Sequence, residues 1–316
     1  MLSAAQLTRL VGHVVPDGRI GGVDVLGGSL TRVRLTDGSG LLVQLASQPA
    51  AVARASAALT LLRGEIDLPL PTLRDHDADG TRIGVPYLVF DDLAGELLAR
   101  VAPQIAGEPG YALGRRLGTV LHRVHRLASP GYGPLDAALV DSDARRYGLA
   151  RADAALAALR AARVLTERES AAVARWFAAS YQPGGRQAAL LCGAVAPDAL
   201  LVRRRDAGWS LVALLDWSAA QGWSPAWEHT RLLEAFGDSA YFDLRVGYGS
   251  AYDEATRRSY EQVREHALQP YRIIATLEAL ADARDAATTM RLRARLATVV
   301  QDMLPPPPAP GTTLSA

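Results

Sequence analysis

Some short stretches of the sequence carry residue types that could bind an anion. The backbone N–H groups of a glycine-rich turn can point together at a phosphate, and three consecutive residues offer such a turn: Gly27, Gly28 and Ser29. The same residues could equally form a plain turn. Residues 203–205 are three arginines beside Asp206, a pattern that fits an anion contact but more simply a solvated hairpin turn over 203–208.

Two further residue types could supply a nucleophile or metal ligands. Cys192 is the single cysteine, and a lone cysteine is more often a small buried apolar residue than a reactive thiol. His122 and His125 are three residues apart on a predicted helix, so their side chains are neighbours. This spacing would allow a metal pair, although the packing of the helix end explains both residues as well.

The composition limits the classes of protein that fit. The chain has 316 residues and a net charge of +1, and all 34 basic residues are arginine, so no lysine is available for any role. The even charge balance argues against nucleic acid or an anionic membrane as the main partner. One cysteine excludes an intrachain disulfide. Arg9 and His13 interrupt the apolar N-terminus, which is unlike a signal peptide, and we expect a cytoplasmic protein.

The pattern of apolar and turn-forming residues predicts a β-rich N-terminal part and a helical C-terminal part. Asp37-Gly38 separates two apolar segments, 30–35 and 41–45, which predicts a β-hairpin. Pro49 opens a predicted helix, and Thr166-Glu-Arg-Glu169 is a capping-box pattern that starts another. The chain therefore divides as follows: an N-lobe over residues 1–90, a hinge over 91–100, a helical C-lobe over 101–304 and a disordered proline-rich tail over 305–316.

Taken in order, several segments resemble the aminoglycoside phosphotransferase family over most of the chain. The ordered set is more specific than any single piece. The resemblance implies an α+β, protein-kinase-like fold of two lobes, and phosphoryl transfer from ATP with magnesium. The segments are Leu26-Gly-Gly-Ser-Leu30, Leu41-Leu-Val-Gln-Leu45, Leu68-Pro-Leu-Pro71, Pro86-Tyr-Leu-Val-Phe-Asp-Asp-Leu-Ala-Gly95, Leu117-Gly-Thr-Val-Leu-His122, the catalytic-loop segment 191–202, the metal-Asp segment 214–218 and Ser224-Pro-Ala-Trp-Glu228.

Most of the catalytic roles that the resemblance implies fall on residues without the required chemistry. The phosphate-holding lysine of the third strand falls on Gln44, a neutral amide, and the acid of the following helix falls near Ala55. The proton-accepting aspartate falls on Ala194, and the magnesium-binding asparagine falls on Ala199. The histidine that precedes the glycine of the catalytic loop falls on Cys192. Because a catalytic base alone is worth about 10²–10⁴ in rate, ordinary phosphotransfer is not expected.

One implied catalytic position keeps its chemistry. Asp216 matches the metal-binding aspartate of the family, although it could instead bond only to nearby backbone N–H groups. Asp198 could serve as a substitute metal ligand or cap the turn after Pro197. By the same resemblance the turn at Gly27 would lie against a nucleotide.

Two interpretations follow, and the sequence leaves both open. The first is a pseudokinase whose interlobe cleft binds a small molecule, a nucleotide or a protein partner, and for which binding of ATP and magnesium stays an open question. The apolar side chains at Ala194 and Ala199 would suit an apolar ligand there. The second is a divergent or repurposed small-molecule phosphotransferase or biosynthetic enzyme, in which Asp216 and Asp198 hold magnesium. A subunit that activates an enzymatic partner is a third possibility.

Overall fold

The computed structural model describes residues 2–63, 68–136, 141–183, 187–193, 195–206, 208–251 and 254–301. The helices are α1 (Ala4–Val14), α2 (Pro49–Leu62), α3 (Leu98–Val101), α4 (Glu108–His125), α5 (Ala144–Ala161), α6 (Glu167–Ser180), α7 (Pro225–Ala235), α8 (Phe242–Ser250), α9 (Glu254–Asp282) and α10 (Ala286–Gln301). The strands are β1 (Ile20–Gly27), β2 (Leu30–Leu35), β3 (Gly40–Leu45), β4 (Leu73–Asp77), β5 (Tyr87–Asp91), β6 (Glu96–Leu97), β7 (Gly133–Pro134), β8 (Ala189–Leu191), β9 (Leu200–Arg205), β10 (Gly208–Leu214) and β11 (Gln221–Trp223).

The chain forms two compact units. The first contains residues 1–144 and 184–262, and the second contains residues 145–183 and 263–316. The predicted tail over 305–316 lies outside the described residues. In the part of the chain that the structure describes, no helix has both the length and the apolar character needed to cross a membrane.

An antiparallel five-stranded sheet begins the first unit, in the order β1-β2-β3-β5-β4. The predicted hairpin is present: β2 pairs with β3, with Val33 opposite Leu41, and the Asp37 carboxylate accepts a hydrogen bond from Ser39 N at 2.9 Å. Strand β1 was not predicted from the sequence, because its glycines do not favour a strand. Strand β4 was not predicted either, because Leu73-Arg-Asp-His-Asp77 is mostly charged and shows little alternation of apolar residues.

The two faces of this sheet are covered by different helices. Successive strand residues point to opposite faces, so Val43 packs in a cluster with α1, whereas Leu42 packs in a cluster with α2. Helix α1 is fixed at its start by a capping box between Ser3 and Gln6. Position 44 lies on the Leu42 face, the face that α2 covers.

Three-stranded sheets and helices complete the first unit. One sheet has the order β10-β9-β6 and the other has the order β7-β11-β8. The three arginines at 203–205 continue β9, with Arg203 opposite Ser210 and Arg204 opposite Trp209. The predicted hairpin is present, but its turn is shorter than the predicted range of 203–208, because cross-strand pairing with β10 carries the strand through the arginines. Only residues 206 and 207 separate the two strands.

The long helix α4 crosses α8 in the same unit. The two backbones touch at a glycine, because a Cβ on Gly114 would lie 2.0 Å from the carbonyl oxygen of Leu244. Apolar side chains of α4 join the core on either side of this crossing, including Leu113, Leu117 and Leu121. The crossing fixes α4, whose C-terminal end reaches the candidate site.

The second unit is helical. Tyr181 stacks on Phe177, with ring centroids 4.9 Å apart, and meets the edge of Tyr271 at 5.7 Å. Arg151 donates to Glu278 through Nε and through Nη2, the latter at 3.0 Å. Helix α6 begins at the capping box that the sequence predicts, with Thr166 as its N-cap.

Candidate functional site

A buried carboxylate anchors the segment that corresponds to the catalytic loop. Glu228, on α7, accepts a hydrogen bond from Gly193 N at 2.5 Å and contacts His125 Nε2 at 2.6 Å. The side chain of Glu228 is 1% exposed and that of His125 is 5% exposed. Buried polar groups of this kind are costly unless they are paired. The contacts therefore tie three separate elements together: the end of α4, the loop after β8 and the first turn of α7.

Gly193 permits this loop conformation for two reasons. Its φ angle is +81°, and a Cβ at this position would lie 2.2 Å from the carbonyl oxygen of Ala219. A side chain would therefore strain the backbone and collide with the strand connection beside it. The loop conformation therefore requires glycine at position 193.

Cys192 and Asp216 are joined through the backbone. The Cys192 thiol is fully buried and donates to the carbonyl oxygen of Asp216, with the two atoms 2.9 Å apart. The Asp216 carboxylate is partly exposed and accepts a hydrogen bond from Ser218 N at 2.9 Å. The Cys192 thiol is therefore a buried hydrogen-bond donor. The Asp216 carboxylate bonds to a nearby backbone N–H group, which is one of the two roles predicted for it from the sequence.

The remaining residues of the predicted site lie in different surroundings. Asp198 is exposed in a single 3₁₀ turn, and the side chain of Ala199 is buried beside it. Ala194 lies outside the described residues. Glu228 engages Nε2 of His125, which explains the burial of this histidine without a metal, and the pairing of His125 with His122 as metal ligands stays a prediction. Among the described residues, no group of three or more His, Cys, Asp or Glu side chains could hold a metal ion.

Gln44 lies on β3 between Leu30 of β2 and Leu88 of β5. Its side chain is only 9% exposed, and its Oε1 atom is buried with no hydrogen-bond partner among the described residues. Ala55, on the helix that covers this face, is fully buried and supplies no carboxylate. A neutral amide and a methyl group therefore occupy the positions where the resemblance implies a lysine–acid pair.

The glycine-rich turn is short and packed. β1 ends at Gly27 and β2 begins at Leu30, so Gly28 and Ser29 form a two-residue hairpin turn. Gly28 has a φ angle of +49°, and a Cβ on Gly27 would lie 3.1 Å from Leu97 Cδ1. The plain-turn interpretation accounts for these glycines, and a nucleotide contact by this turn stays a prediction.

The hinge is held by an arginine from the sheet. Arg32 donates from Nε to the Asp92 carboxylate at 2.8 Å. Its Nη2 atom donates to the carbonyl oxygens of Leu93 and Gly95 at 2.9 and 3.0 Å. This single guanidinium therefore joins strand β2 to three acceptors of the hinge segment.

The apolar residues on the inner face of the sheet are buried within the molecule. Leu26, Leu30 and Leu42 are at most 5% exposed and belong to one continuous core. The same core includes Leu200 and Leu201 from the strand that follows the catalytic-loop segment. Side chains from both sides of the hinge therefore pack directly against one another through this core.

Comparison with known proteins identifies the family. A family model described as the phosphotransferase enzyme family, APH, matches residues 25–266. The chain belongs to this family. The α+β, kinase-like fold expected from the sequence is thereby confirmed, with a β-sheet N-terminal region and a helical C-terminal region. No curated protein matches the chain.

Solved structures of phosphotransferases share this fold at low sequence identity. The complex of aminoglycoside phosphotransferase APH(4)-Ia with ADP and hygromycin B matches with a TM-score of 0.64 and 15% identity, covering 95% of this chain and 98% of that one. The GDP complex of aminoglycoside 2'-phosphotransferase-IIIa gives 0.63 and 15%, covering 95% and 99%. Macrolide 2'-phosphotransferase type I gives 0.55 and 13%, covering 96% and 98%.

The residue at the lysine position does not fit the phosphates of ATP in the manner of phosphotransferases, whereas the magnesium position keeps one suitable carboxylate. Phosphate oxygens need hydrogen-bond donors and positive charge, whereas the orphaned buried atom at the lysine position is an acceptor, Gln44 Oε1. Magnesium is usually held by one or two carboxylates together with substrate phosphates. Asp216 offers one such carboxylate, but the buried methyl group of Ala199 offers no ligand.

Sequence reasoning missed two features of this site. It treated Glu228 only as part of a family segment, although a glutamate in an otherwise apolar helix start was a signal that a buried donor would face it. It gave no role to Arg32, whose position in an alternating strand was consistent with plain solvent exposure. Both contacts join residues more than 50 positions apart in the chain, so local patterns could not find them.

Proposed function

We propose that this member of the phosphotransferase family does not transfer phosphate from ATP and acts as a binding or regulatory module. Its ligand would be a small molecule or a protein partner held in the interlobe region. The observation that carries this proposal is the pair of neutral, buried residues at the lysine and acid positions, Gln44 and Ala55.

The physical argument concerns charge. Phosphoryl transfer depends on positioning and electrostatic stabilisation of the transferred group, so the protein must supply cations. A buried glutamine cannot replace a lysine, and the chain contains no lysine that could be recruited from elsewhere. The nearest described arginine of the sheet, Arg32, is engaged with Asp92 and the hinge. Arg54, on the helix that carries Ala55, is paired with the Asp136 carboxylate at 2.7 Å. The described residues at the lysine and acid positions therefore supply no positive charge for a triphosphate.

Thermal denaturation with and without millimolar Mg-ATP tests the proposal. A ligand at 100 times its Kd stabilises by about 2.7 kcal/mol, which raises the melting temperature by roughly 5–10 °C for a unit of 150–250 residues. We expect no such shift and no release of inorganic phosphate. The Asp216→Ala variant and the control Asp79→Ala, at an exposed position, should respond as the wild type does.

The contrary result would support a divergent phosphotransferase. A Mg-ATP shift that Asp216→Ala abolishes and Asp79→Ala preserves would place a metal at the one retained carboxylate. The partial exposure of Asp216 and the intact anchoring of the loop by Glu228 are the observations that favour this alternative. A search for an acceptor hydroxyl would then follow.

A further inference from the structure

A groove with a volume of about 470 Å³ runs beside the hinge within the first unit. Strand β2 contributes two arginines, the hinge contributes Asp92 and residues 94–96, and the β9–β10 hairpin contributes the rest. The volume falls within the range of pockets that hold small molecules. The groove touches the catalytic-loop segment only at its last residue, Val202. Its lining also includes four arginines and a tryptophan: Arg32, Arg34, Arg203, Arg204 and Trp209.

The charges on one side of the groove are already paired. Arg32 bonds to Asp92 at 2.8 Å, and Arg34 bonds to Asp24 at 2.8 Å. The other carboxylate of the lining, Glu96, lies 3.9 Å from Arg100. These pairs leave no net charge for a ligand on this side of the groove.

The opposite side carries cations without such partners. Arg203 and Arg204 form no ion pair with any carboxylate in the described part of the chain. The Nε atom of Arg203 is also shielded from solvent and has no hydrogen-bond acceptor among the described residues. An unsatisfied buried donor is costly, and more so on a charged group. The local structure therefore lacks an acceptor at this guanidinium.

We infer that this groove is a binding site for a small organic anion with a flat apolar part and one carboxylate or phosphate group. Such a group accepts two parallel N–H bonds from a guanidinium, and Arg203 lines the groove without a carboxylate partner among the described residues. Arg204 would add a second positive charge. Trp209, partly exposed and opposite Arg204 in the sheet, provides an apolar surface for the remainder of the ligand.

The inference does not depend on the proposed lack of phosphotransfer. The groove is built from the hinge and the β9–β10 hairpin, and neither Gln44 nor Asp216 lines it. A positive Mg-ATP result would overturn the proposed function and leave the groove as it is, so the two can fail separately.

Calorimetric titration of the full chain with four probes tests the inference: phenyl phosphate, benzoate, inorganic phosphate and neutral phenol. We expect saturable binding of at least one of the two aromatic anions, with a Kd near or below about 1 mM. Inorganic phosphate and phenol should each bind at least about tenfold more weakly. Comparison of phenyl phosphate with benzoate then tells whether the preferred group is a phosphate or a carboxylate.

Matched charge variants locate the site. Arg203→Gln should weaken binding at least about tenfold, the loss expected for a charged hydrogen bond, and Arg204→Gln should weaken it several-fold. Arg205→Gln removes the same charge from the same strand but lies outside the groove, where its Nε donates to Ser210 at 3.3 Å. The Kd of the Arg205→Gln variant for the probe anion should stay within about twofold of the wild-type value.

Two results would overturn the inference. One is the lack of saturable binding of both aromatic anions to the wild-type chain. The other is an equal loss in the Arg205→Gln and Arg203→Gln variants, which would indicate a general electrostatic attraction. Melting temperatures of all variants check folding, and Arg204→Gln carries the test if Arg203→Gln fails to fold.

Discussion

Removal of the Glu228 carboxylate should destabilise the fold much more than removal of any surface carboxylate. Glu228 accepts from Gly193 N at 2.5 Å and contacts His125 Nε2 at 2.6 Å, with no solvent available to replace either contact. The substitution Glu228→Ala deletes both contacts and leaves two buried groups unsatisfied. The substitution Glu228→Gln keeps one acceptor oxygen but places an NH₂ group where the other oxygen was.

The size of the effect follows from these two contacts. A hydrogen bond to a charged group contributes about 1.5–3 kcal/mol, so Glu228→Ala should cost about 3–6 kcal/mol and Glu228→Gln about 1.5–3 kcal/mol. Total stabilities are about 5–15 kcal/mol, so the alanine variant is expected to lose a large part of the stability of the fold. The glutamine variant should melt roughly 3–12 °C below the wild type, at about 2–4 °C per kcal/mol.

Urea unfolding followed by circular dichroism measures these differences directly. The control is Glu234→Gln on the same helix, whose partner Arg231 is 3.3 Å away at a more exposed position. It should lose less than about 1 kcal/mol. A double-mutant cycle with His125→Ala should give a coupling of about 0.5–3 kcal/mol. If Glu228→Gln proves as stable as Glu234→Gln, the buried contact contributes nothing and the reasoning is refuted.

Three further variants test other parts of the argument. Gly193→Ala should lower the melting temperature markedly, because its φ angle is positive and a Cβ would collide with Ala219 O at 2.2 Å; an unchanged melting temperature would contradict this loop conformation. Gln44→Met should raise the unfolding free energy by about 1 kcal/mol by removing an unpaired buried oxygen, and a loss in urea unfolding would indicate that this oxygen has a donor. Burial raises the pKa of Tyr87 to about 12 from 10.0. Stability should therefore fall between these two pH values, because the unfolded chain releases this proton first; Tyr87→Phe should flatten that fall in pH-dependent thermal melts, and an unchanged slope would contradict it.

Local patterns were enough for most of the secondary structure. The Asp37-Gly38 turn, Pro49 at the start of α2 and the Thr166 capping box each act within a few residues, and the structure contains all three. β1 and β4 were missed because their pairing partners, and not their own sequences, make them strands. The arginines at 203–205 show the same effect: a charged run that favours a turn on its own becomes a strand opposite β10.

The candidate site was predictable only in part. Positions such as Gln44 and Asp216 could be placed from the order of segments along the chain. The partners that define their surroundings could not be placed, because Arg32 meets the hinge and Glu228 meets His125 through tertiary contacts. Leu42 and Leu201 likewise belong to one hydrophobic core through tertiary packing, which local sequence patterns do not reveal.

The contrast between retained and missing residues has a physical basis. Glu228 and Gly193 hold the loop in place, and folding depends on them whether or not the loop performs chemistry. A buried lysine–acid pair has the opposite character, since desolvation of two charges costs as much as their attraction returns. Neutral residues such as Gln44 and Ala55 carry no such desolvation cost. A chain that needs the architecture without phosphotransfer would therefore keep the first kind of residue and lose the second, which is the pattern that this protein has.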